Sequence, residues 1–179
     1  HSLDRRQRQM CIRDSLLPVR YQRGLKQRNY TTVVVRCGFD GETLTYKDHG
    51  SELNIPRDRG LYEPSLTEFE GWYYLTLRAD HSAFVTRGKD GINFESIREW
   101  KFDDGTSLGS YNTQQHWITA GGGLFLIYTR KGADNDHVFR HRAPLFIGQV
   151  HPETLRVIRS TERILIPENH ATLGNSGVC

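Results

Sequence analysis

Short runs of alternating hydrophobic and polar residues follow one another along most of the chain, separated by turns that contain glycine. The clearest stretch has three such runs, at 65–69, 72–78 and 83–87, with Glu70-Gly71 between the first two and Asp90-Gly91 after the third. Aromatic and β-branched residues broken by turn signals at these intervals are typical of antiparallel strands. No window has sustained helical spacing, so the pattern predicts an all-β fold.

The same pattern predicts further strands at 31–36, 43–46, 113–119, 124–130, 145–150, 155–158 and 164–167. Residues 1–17 fit neither helix nor strand periodicity. We therefore expect them to be a non-native segment or a disordered tail. Residues 18–179 are expected to form the folded domain, because a chain of 179 residues is long enough for one hydrophobic core.

A repeat of about fifty residues runs through the strand region. Val35, Asp40, Gly41 and Leu44 recur fifty positions later as Val85, Asp90, Gly91 and Phe94, and Phe146, His151 and Leu155 follow the same spacing. Periods of ~40–60 residues with about four strands per unit are typical of β-propeller blades. Because a closed propeller has at least about four blades, we predict an incomplete β-propeller. It would hold two nearly complete four-stranded blades, 61–102 and 109–167, and parts of others; a β-sandwich is the alternative.

The charge is unevenly distributed. Residues 1–28 hold eight Lys and Arg and two Asp, a net charge of +6, whereas the remaining chain has a net charge of −3. The basic segment has no nearby aromatic stacking platform and the rest of the chain is acidic, so we expect no nucleic-acid partner. No apolar run approaches the ~20 residues of a membrane span, so we expect no membrane insertion.

Metal and cofactor signals are weak. The three cysteines, Cys11, Cys37 and Cys179, are odd in number and lack zinc-site spacing. The run 134–137, Asp-Asn-Asp-His, offers oxygen and nitrogen ligands but lacks the closing glutamate of a calcium loop. We interpret this run as a turn and predict no metal and no cofactor.

Polar residues cluster where the first strands of the blades would begin, around Glu63, in the run 111–116 and at 174–176. In a propeller these strand starts line the central channel. Tyr111, Gln114, Gln115 and His116 are therefore candidates for binding a hydroxyl-rich or anionic ligand, which makes a glycan or small carbohydrate the expected partner. The alternative is that they are turn and capping residues.

The stretch from Glu63 to Asp80 resembles the part of sialidases in which a glutamate opens one strand and an arginine, here Arg78, ends the next. The run 88–94 that follows resembles a degenerate Asp-box (BNR) turn, with glycine in place of the usual serine and one residue fewer. The resemblance covers about residues 30–179. It implies an exo-α-sialidase type of glycoside hydrolase, exported by a bacterium to the periplasm or the extracellular space.

The resemblance also implies roles for single residues. Glu63 corresponds to the glutamate that activates the family's tyrosine nucleophile. Arg78 and Arg142, with Arg140 as a competitor for the second position, correspond to arginines that bind the substrate carboxylate. Arginine suits this task because its planar cation forms two parallel hydrogen bonds with a carboxylate. The structural alternative for Arg78 is a salt bridge with nearby Asp80.

The family's nucleophilic tyrosine and acid/base aspartate have no counterpart in this sequence, so we expect both to lie outside the chain and the chain alone to be inactive. Two other functions fit the pattern. One is another carbohydrate-active propeller, a five-bladed glycosidase or a polysaccharide lyase, that would pair Glu63 with His116. The other is a propeller that binds a ligand without catalysis and has no converging charged residues.

Overall fold

The computed structural model describes residues 14–24, 28–170 and 172–174. These residues form strands and two one-turn 3-10 segments, Phe139–His141 and Arg159–Thr161, so the all-β prediction is confirmed. No helix in these ranges is long and apolar enough to cross a membrane. The strands are β1 Asp14–Gln22, β2 Tyr30–Phe39, β3 Leu44–His49, β4 Tyr62–Phe69, β5 Trp72–Arg78, β6 Phe84–Gly88, β7 Arg98–Glu99, β8 His116–Ala120, β9 Gly123–Tyr128, β10 Leu145–His151, β11 Arg156–Val157 and β12 Arg163–Ile166.

The strands form three antiparallel sheets in chain order. The first has the order β1-β2-β3, the second β4-β5-β6-β7, and the third β8-β9-β10-β11. Strand β12 also pairs with β10, near the start of that strand, whereas β11 pairs near its end. The two short strands therefore act as one interrupted outer strand, and the second and third sheets are the two predicted blades.

Side-chain alternation along β5 explains how the second sheet joins its neighbours. Successive side chains of a strand point to opposite faces. Leu75 and Leu77 accordingly lie in a core with Val34 of the first sheet. Tyr74 lies in a second core with Trp117 of the third sheet, and the two rings meet edge to face with centroids 5.9 Å apart. The second sheet is thus buried on both faces, as in the middle of a stack of blades.

The predicted repeat corresponds to equivalent turns after β2, β6 and β10. An Asp40 carboxylate oxygen accepts hydrogen bonds from the backbone N–H groups two and three residues later, at 2.9 and 2.8 Å. Asp90 does the same at 3.1 and 2.7 Å. In the third copy His151 replaces aspartate, and its Nδ1 accepts from the corresponding N–H groups at 3.3 and 3.5 Å. The imidazole nitrogen therefore takes over the role of the missing Asp-Gly pair.

The structure differs from the prediction at the beginning of the chain. Asp14–Gln22 forms a strand that pairs with β2 along its whole length, so residues 14–17 belong to the first sheet. Residues 1–13 of the predicted tail lie outside the described residues. Packing stabilises this strand, because Leu16 contacts the core shared by the first two sheets. Pro18 and the surrounding arginines hide this apolar contribution in the sequence.

The candidate residues lie along one edge of the second and third sheets. In an antiparallel sheet the start of one strand lies beside the end of its neighbour. The starts of β4, β8 and β10 and the ends of β5 and β9 therefore share an edge, which we call the upper rim. Asn112 joins the two sheets there, since its backbone N–H donates to the carbonyl of Ala79 at 2.8 Å. The turns after β6 and β10 lie at the opposite edge.

Candidate functional site

Glu63 and Arg78 form a largely buried ion pair at the upper rim. A bulge separates the pairing of Tyr62 with Arg78 from the regular ladder that begins at Ser65. Glu63 lies in this bulge with φ 46°, a left-handed conformation that is uncommon for residues other than glycine. Nη1 of Arg78 donates to Oε2 of Glu63, and the two side chains are 6% and 25% exposed. The two residues that the resemblance singled out are thus in contact, at a strained backbone position of the kind that concentrates at functional sites.

Asn112 provides the second acceptor for Arg78. Its Oδ1 accepts hydrogen bonds from Nη2 of Arg78 at 2.8 Å and from Nη2 of Arg59 at 2.9 Å. Asn112 also has a left-handed backbone, with φ 46°. One amide oxygen between two guanidinium groups holds both cations without neutralising either of them.

Asp80 does not pair with Arg78 as the structural alternative required. Instead it binds Arg59, whose Nε donates to Oδ1 at 2.9 Å, and it accepts the hydroxyl proton of Tyr62 at 2.8 Å. The hydrogen bonds from Arg59 are the largest influence and, against the opposing effect of burial, lower the pKa of Asp80 to about 2. Burial, and then the hydrogen bond to Asp80, raises the pKa of Tyr62 to about 12. Asp80 is therefore ionised and Tyr62 neutral at pH 7.

Arg142 lies close enough to this network that the charges of Arg78 and Glu63 shift its pKa. Burial is the largest influence and lowers the pKa of Arg142; the positive charges of Arg78 and Arg140 act in the same direction, and Glu63 opposes them. The buried Nε of Arg142 has no hydrogen-bond partner among the described residues. Nor does a carboxylate in the described part of the chain form a salt bridge with this guanidinium.

A cavity of about 140 Å³ opens beside Arg142. Its polar wall consists of Thr113, Gln114, Thr129 and Arg142, and Leu145 and Ile166 contribute to its apolar wall. Oε1 of Gln114 is buried and, within the described ranges, accepts no hydrogen bond. The cavity thus combines one cation and one amide, each with unused hydrogen-bonding capacity, with an apolar wall, which is the composition of a small polar-ligand site.

Three of the predicted site residues lie elsewhere. Arg140 is exposed, and its guanidinium carbon lies 4.9 Å from the centroid of the Phe139 ring. Gln115 is 1% exposed and its Nε2 donates to Oγ of Ser110 at 3.0 Å, so it braces the loop before β8. His116 follows Gln115 in the chain and precedes Trp117, which packs towards the second sheet. Strand alternation therefore turns the His116 side chain away from the second sheet, and the predicted pairing with Glu63 is not formed.

Tyr111 keeps its place at the rim but contacts a histidine. Its hydroxyl lies 2.6 Å from Nδ1 of His141, and Nε2 of His141 lies 3.1 Å from Oδ1 of Asp136. Nearby, Nδ2 of the buried Asn135 donates to the carbonyls of Arg130 and Ala143, at 2.9 and 2.7 Å. The run 134–137 is thus a closed turn, as predicted. No group of three metal-ligating side chains occurs in the ranges that the structure describes.

Arg59, Asn112 and Gln114 complete the site; of these, only Gln114 is a candidate from the sequence. Gln114 and Gln115 are adjacent, but only Gln114 lines the cavity, because Gln115 is buried against Ser110. Asn112 lies inside the polar run 111–116, which is the only signal for it. Arg59 precedes a glycine with φ 71° in a loop, and no sequence pattern marks its contact with a residue 53 positions later.

Comparisons with known proteins support the architecture. No protein-family model matches the chain, and no curated protein matches it. Among solved structures, a GH32 β-fructofuranosidase from Bombyx mori matches with a TM-score of 0.53 and 12% identity, over 87% of this chain and 38% of that one. A mutant of that enzyme in complex with sucrose matches with a TM-score of 0.51 and 13% identity, over 79% of this chain and 32% of that one. The chain therefore spans less than half the length of these enzymes and shares the propeller fold of a glycosidase.

Proposed function

We propose that this chain is part of a carbohydrate-active propeller of the glycoside hydrolase type, and that its upper rim binds an anionic sugar. The observation that carries the proposal is the partly buried Arg142 guanidinium, which lines a cavity and whose Nε has no hydrogen-bond partner among the residues that the structure describes. A buried cation without a counter-charge is costly, and a ligand carboxylate would relieve that cost.

The charge balance of the rim supports an anionic ligand over a neutral one. Arg59 is paired with Asp80 and Arg78 with Glu63, so their charges are compensated. Arg142 remains as one positive charge in excess. Gln114 and Thr113 stand beside it as neutral hydrogen-bonding groups for sugar hydroxyls or an amide. A carboxylate on Arg142, with the ring hydroxyls on these neighbours, would use each group of the polar wall.

A sialic acid is the first candidate for this ligand, because the Glu63 to Asp80 stretch resembles that of sialidases and the Glu63–Arg78 contact is made. A β-fructoside is the second candidate, favoured by the fold likeness to a fructofuranosidase. Export by a bacterium remains a prediction that follows from the sialidase resemblance. The proposal concerns binding by this chain; hydrolysis requires the nucleophile and the acid/base residue that we expect outside it.

The test is a calorimetric titration of the 179-residue chain with N-acetylneuraminic acid, glucuronic acid and sucrose. We expect saturable binding of at least one acidic sugar and weaker binding of sucrose. Arg142→Gln should weaken the acidic sugar by about 10- to 100-fold, the effect of one charge-assisted hydrogen bond. Arg140→Gln is the matched control, because it removes an equal charge two residues away on an exposed side chain, and it should leave binding unchanged.

Equal binding of sucrose and of acidic sugars would favour the fructoside candidate over the sialic acid. Equal losses in Arg142→Gln and Arg140→Gln would mean that only the general positive charge attracts the sugar. Absence of binding to every sugar in the panel would refute the proposal.

A further inference from the structure

Tyr111, His141 and Asp136 form a continuous chain of hydrogen bonds. The Tyr111 hydroxyl lies 2.6 Å from Nδ1 of His141, and Nε2 lies 3.1 Å from Oδ1 of Asp136. If the proton of neutral His141 is on Nε2, that group donates to Asp136 while Nδ1 accepts the phenolic proton. This single tautomer satisfies all three side chains.

The exposure of the side chains to water is high at Asp136, at one end of the chain of hydrogen bonds, and low at His141 in its middle. The Asp136 side chain is 94% exposed and that of His141 is 20% exposed. Tyr111 is partly buried, and Nζ of Lys131 lies 5.7 Å from the centroid of its ring. A proton can therefore pass between bulk water and a sheltered phenol through two side chains.

This chain of hydrogen bonds belongs to the upper rim. Tyr111 immediately precedes Asn112, the acceptor for Arg78, and His141 immediately precedes Arg142. The loops that carry Tyr111 and His141 are therefore the same loops that form the proposed sugar site. His141 and its neighbour Arg140 have left-handed backbones, with φ 51° and 56°. The loop thus holds an uncommon conformation where it presents the imidazole to Tyr111.

We propose that Tyr111 is a proton-transfer residue, with His141 as its base and Asp136 as the group that orients the imidazole. The phenol oxygen takes the proton of a sugar hydroxyl while its own proton moves to Nδ1 of His141. The sugar oxygen keeps the electron pair of the broken O–H bond, and the imidazolium is held by Asp136. No oxidant, metal or second reactant is needed. The role on a sugar rests on the proposed function, whereas the activation of the phenol does not.

Chemical labelling measures that activation without a sugar. An aryl sulfonyl fluoride reacts with a phenol to form an O–S bond; fluoride leaves, and the phenolic proton goes to a base, here His141. Mass spectrometry of digested protein gives the labelling rate of each tyrosine at neutral pH. Tyr46 is the internal control, because it is 58% exposed and its hydroxyl forms no hydrogen bond with a histidine among the described residues. We expect Tyr111 to react at least about tenfold faster than Tyr46, although it is less exposed, as a base-activated nucleophile does.

His141→Gln should reduce the Tyr111 rate to or below that of Tyr46 and leave the Tyr46 rate unchanged. Asp136→Asn should lower the Tyr111 rate by a smaller factor, because the base remains but its orientation weakens. Circular dichroism and thermal unfolding of each variant check that the fold is kept. A Tyr111 rate equal to that of Tyr46 in the parent chain, or a rate that is unchanged or increased in His141→Gln, would overturn the proposal.

The two proposals fail separately. Labelling that depends on His141, together with no sugar binding, would leave the activated phenol and refute the sugar site. Sugar binding without that dependence would keep the site and refute the relay. Where an acidic sugar binds, Tyr111→Phe should leave its dissociation constant within about twofold, since Arg142 carries the binding.

Discussion

Replacing Asp80 tests how the upper rim is held together. Asp80→Asn keeps the size of the side chain and removes its charge. Because hydrogen bonds from Arg59 lower the pKa of Asp80 from its ordinary 3.8 to about 2, the folded state binds the ionised form more favourably than the unfolded chain does. At about 1.4 kcal/mol per pKa unit, this difference corresponds to roughly 2 kcal/mol of stability. The Asp80 side chain is 15% exposed and that of Arg59 is 41% exposed, so water screens the pair in part and roughly 2 kcal/mol is the upper end of the expected effect.

The pH dependence has a definite sign. A carboxyl group whose pKa is lowered by folding stabilises the protein fully above its unfolded pKa, and this contribution is lost as the pH falls through the folded pKa. The free energy of unfolding of the parent chain should therefore exceed that of Asp80→Asn by up to about 2 kcal/mol at pH 7. The difference should shrink between about pH 4 and pH 2, from the ordinary and the lowered pKa values.

Urea denaturation followed by tryptophan fluorescence measures both quantities. Asp48→Asn is the control, because the Asp48 side chain is 51% exposed and its contact with Arg36 is long, at 3.6 Å. It should change stability little at any pH. A difference between parent and Asp80→Asn that stays constant from neutral to acidic pH, or one no larger than that of Asp48→Asn, would refute the reasoning.

Three further substitutions test other parts of the structure. Glu63→Gln should lower the free energy of unfolding, measured by urea denaturation, by about 2–4 kcal/mol, because it leaves the buried Arg78 without a counter-charge. Glu99→Gln, which removes the charge from an exposed pair with Arg57, should lower it by less than about 1 kcal/mol; equal losses would contradict the burial argument. Tyr128→Phe should lower the unfolding free energy by about 1–3 kcal/mol, since the buried hydroxyl donates to Oε1 of Glu162 at 2.6 Å, and an unchanged melting temperature would speak against that contact. Gly88→Ala should lower the melting temperature strongly, because the added Cβ would lie 1.9 Å from the carbonyl oxygen of Asn93. Gly174→Ala should leave the melting temperature unchanged, because no described atom lies within 4 Å of the added Cβ; similar melting temperatures for the two variants would show that the turn at Gly88 can relax.

The sequence was most informative about strands and turns. Runs of aromatic and β-branched residues bounded by turn residues located β4, β5, β6, β9 and β10 to within a few residues, because these strands are largely buried and the turns between them are not. The two-residue strand β7 was not predicted, since so short a segment has no measurable period. Strand β1 was missed because Pro18 interrupts its apolar run and because its pairing with β2 joins residues 8 to 24 positions apart.

The site was predictable only where its residues are close in sequence to a recognisable pattern. The Glu63–Arg78 contact follows from a hairpin whose two ends must meet, so the sequence resemblance and the antiparallel pairing agree. The position of Gln115 was wrong because a polar residue before a strand can face inwards when the loop supplies partners, as Ser110 does. Arg59 and Asn112 lie in the loops before β4 and before β8, and their contact arises only when the second and third sheets stack.

The most direct test of an anion site at Arg142 is nuclear magnetic resonance of its Nε–H group during addition of N-acetylneuraminic acid. The signal is assigned by its disappearance in Arg142→Gln. If the guanidinium binds the sugar carboxylate, the signal should shift saturably with that sugar and much less with sucrose. A signal that does not move, or that moves equally with sucrose, would contradict the account.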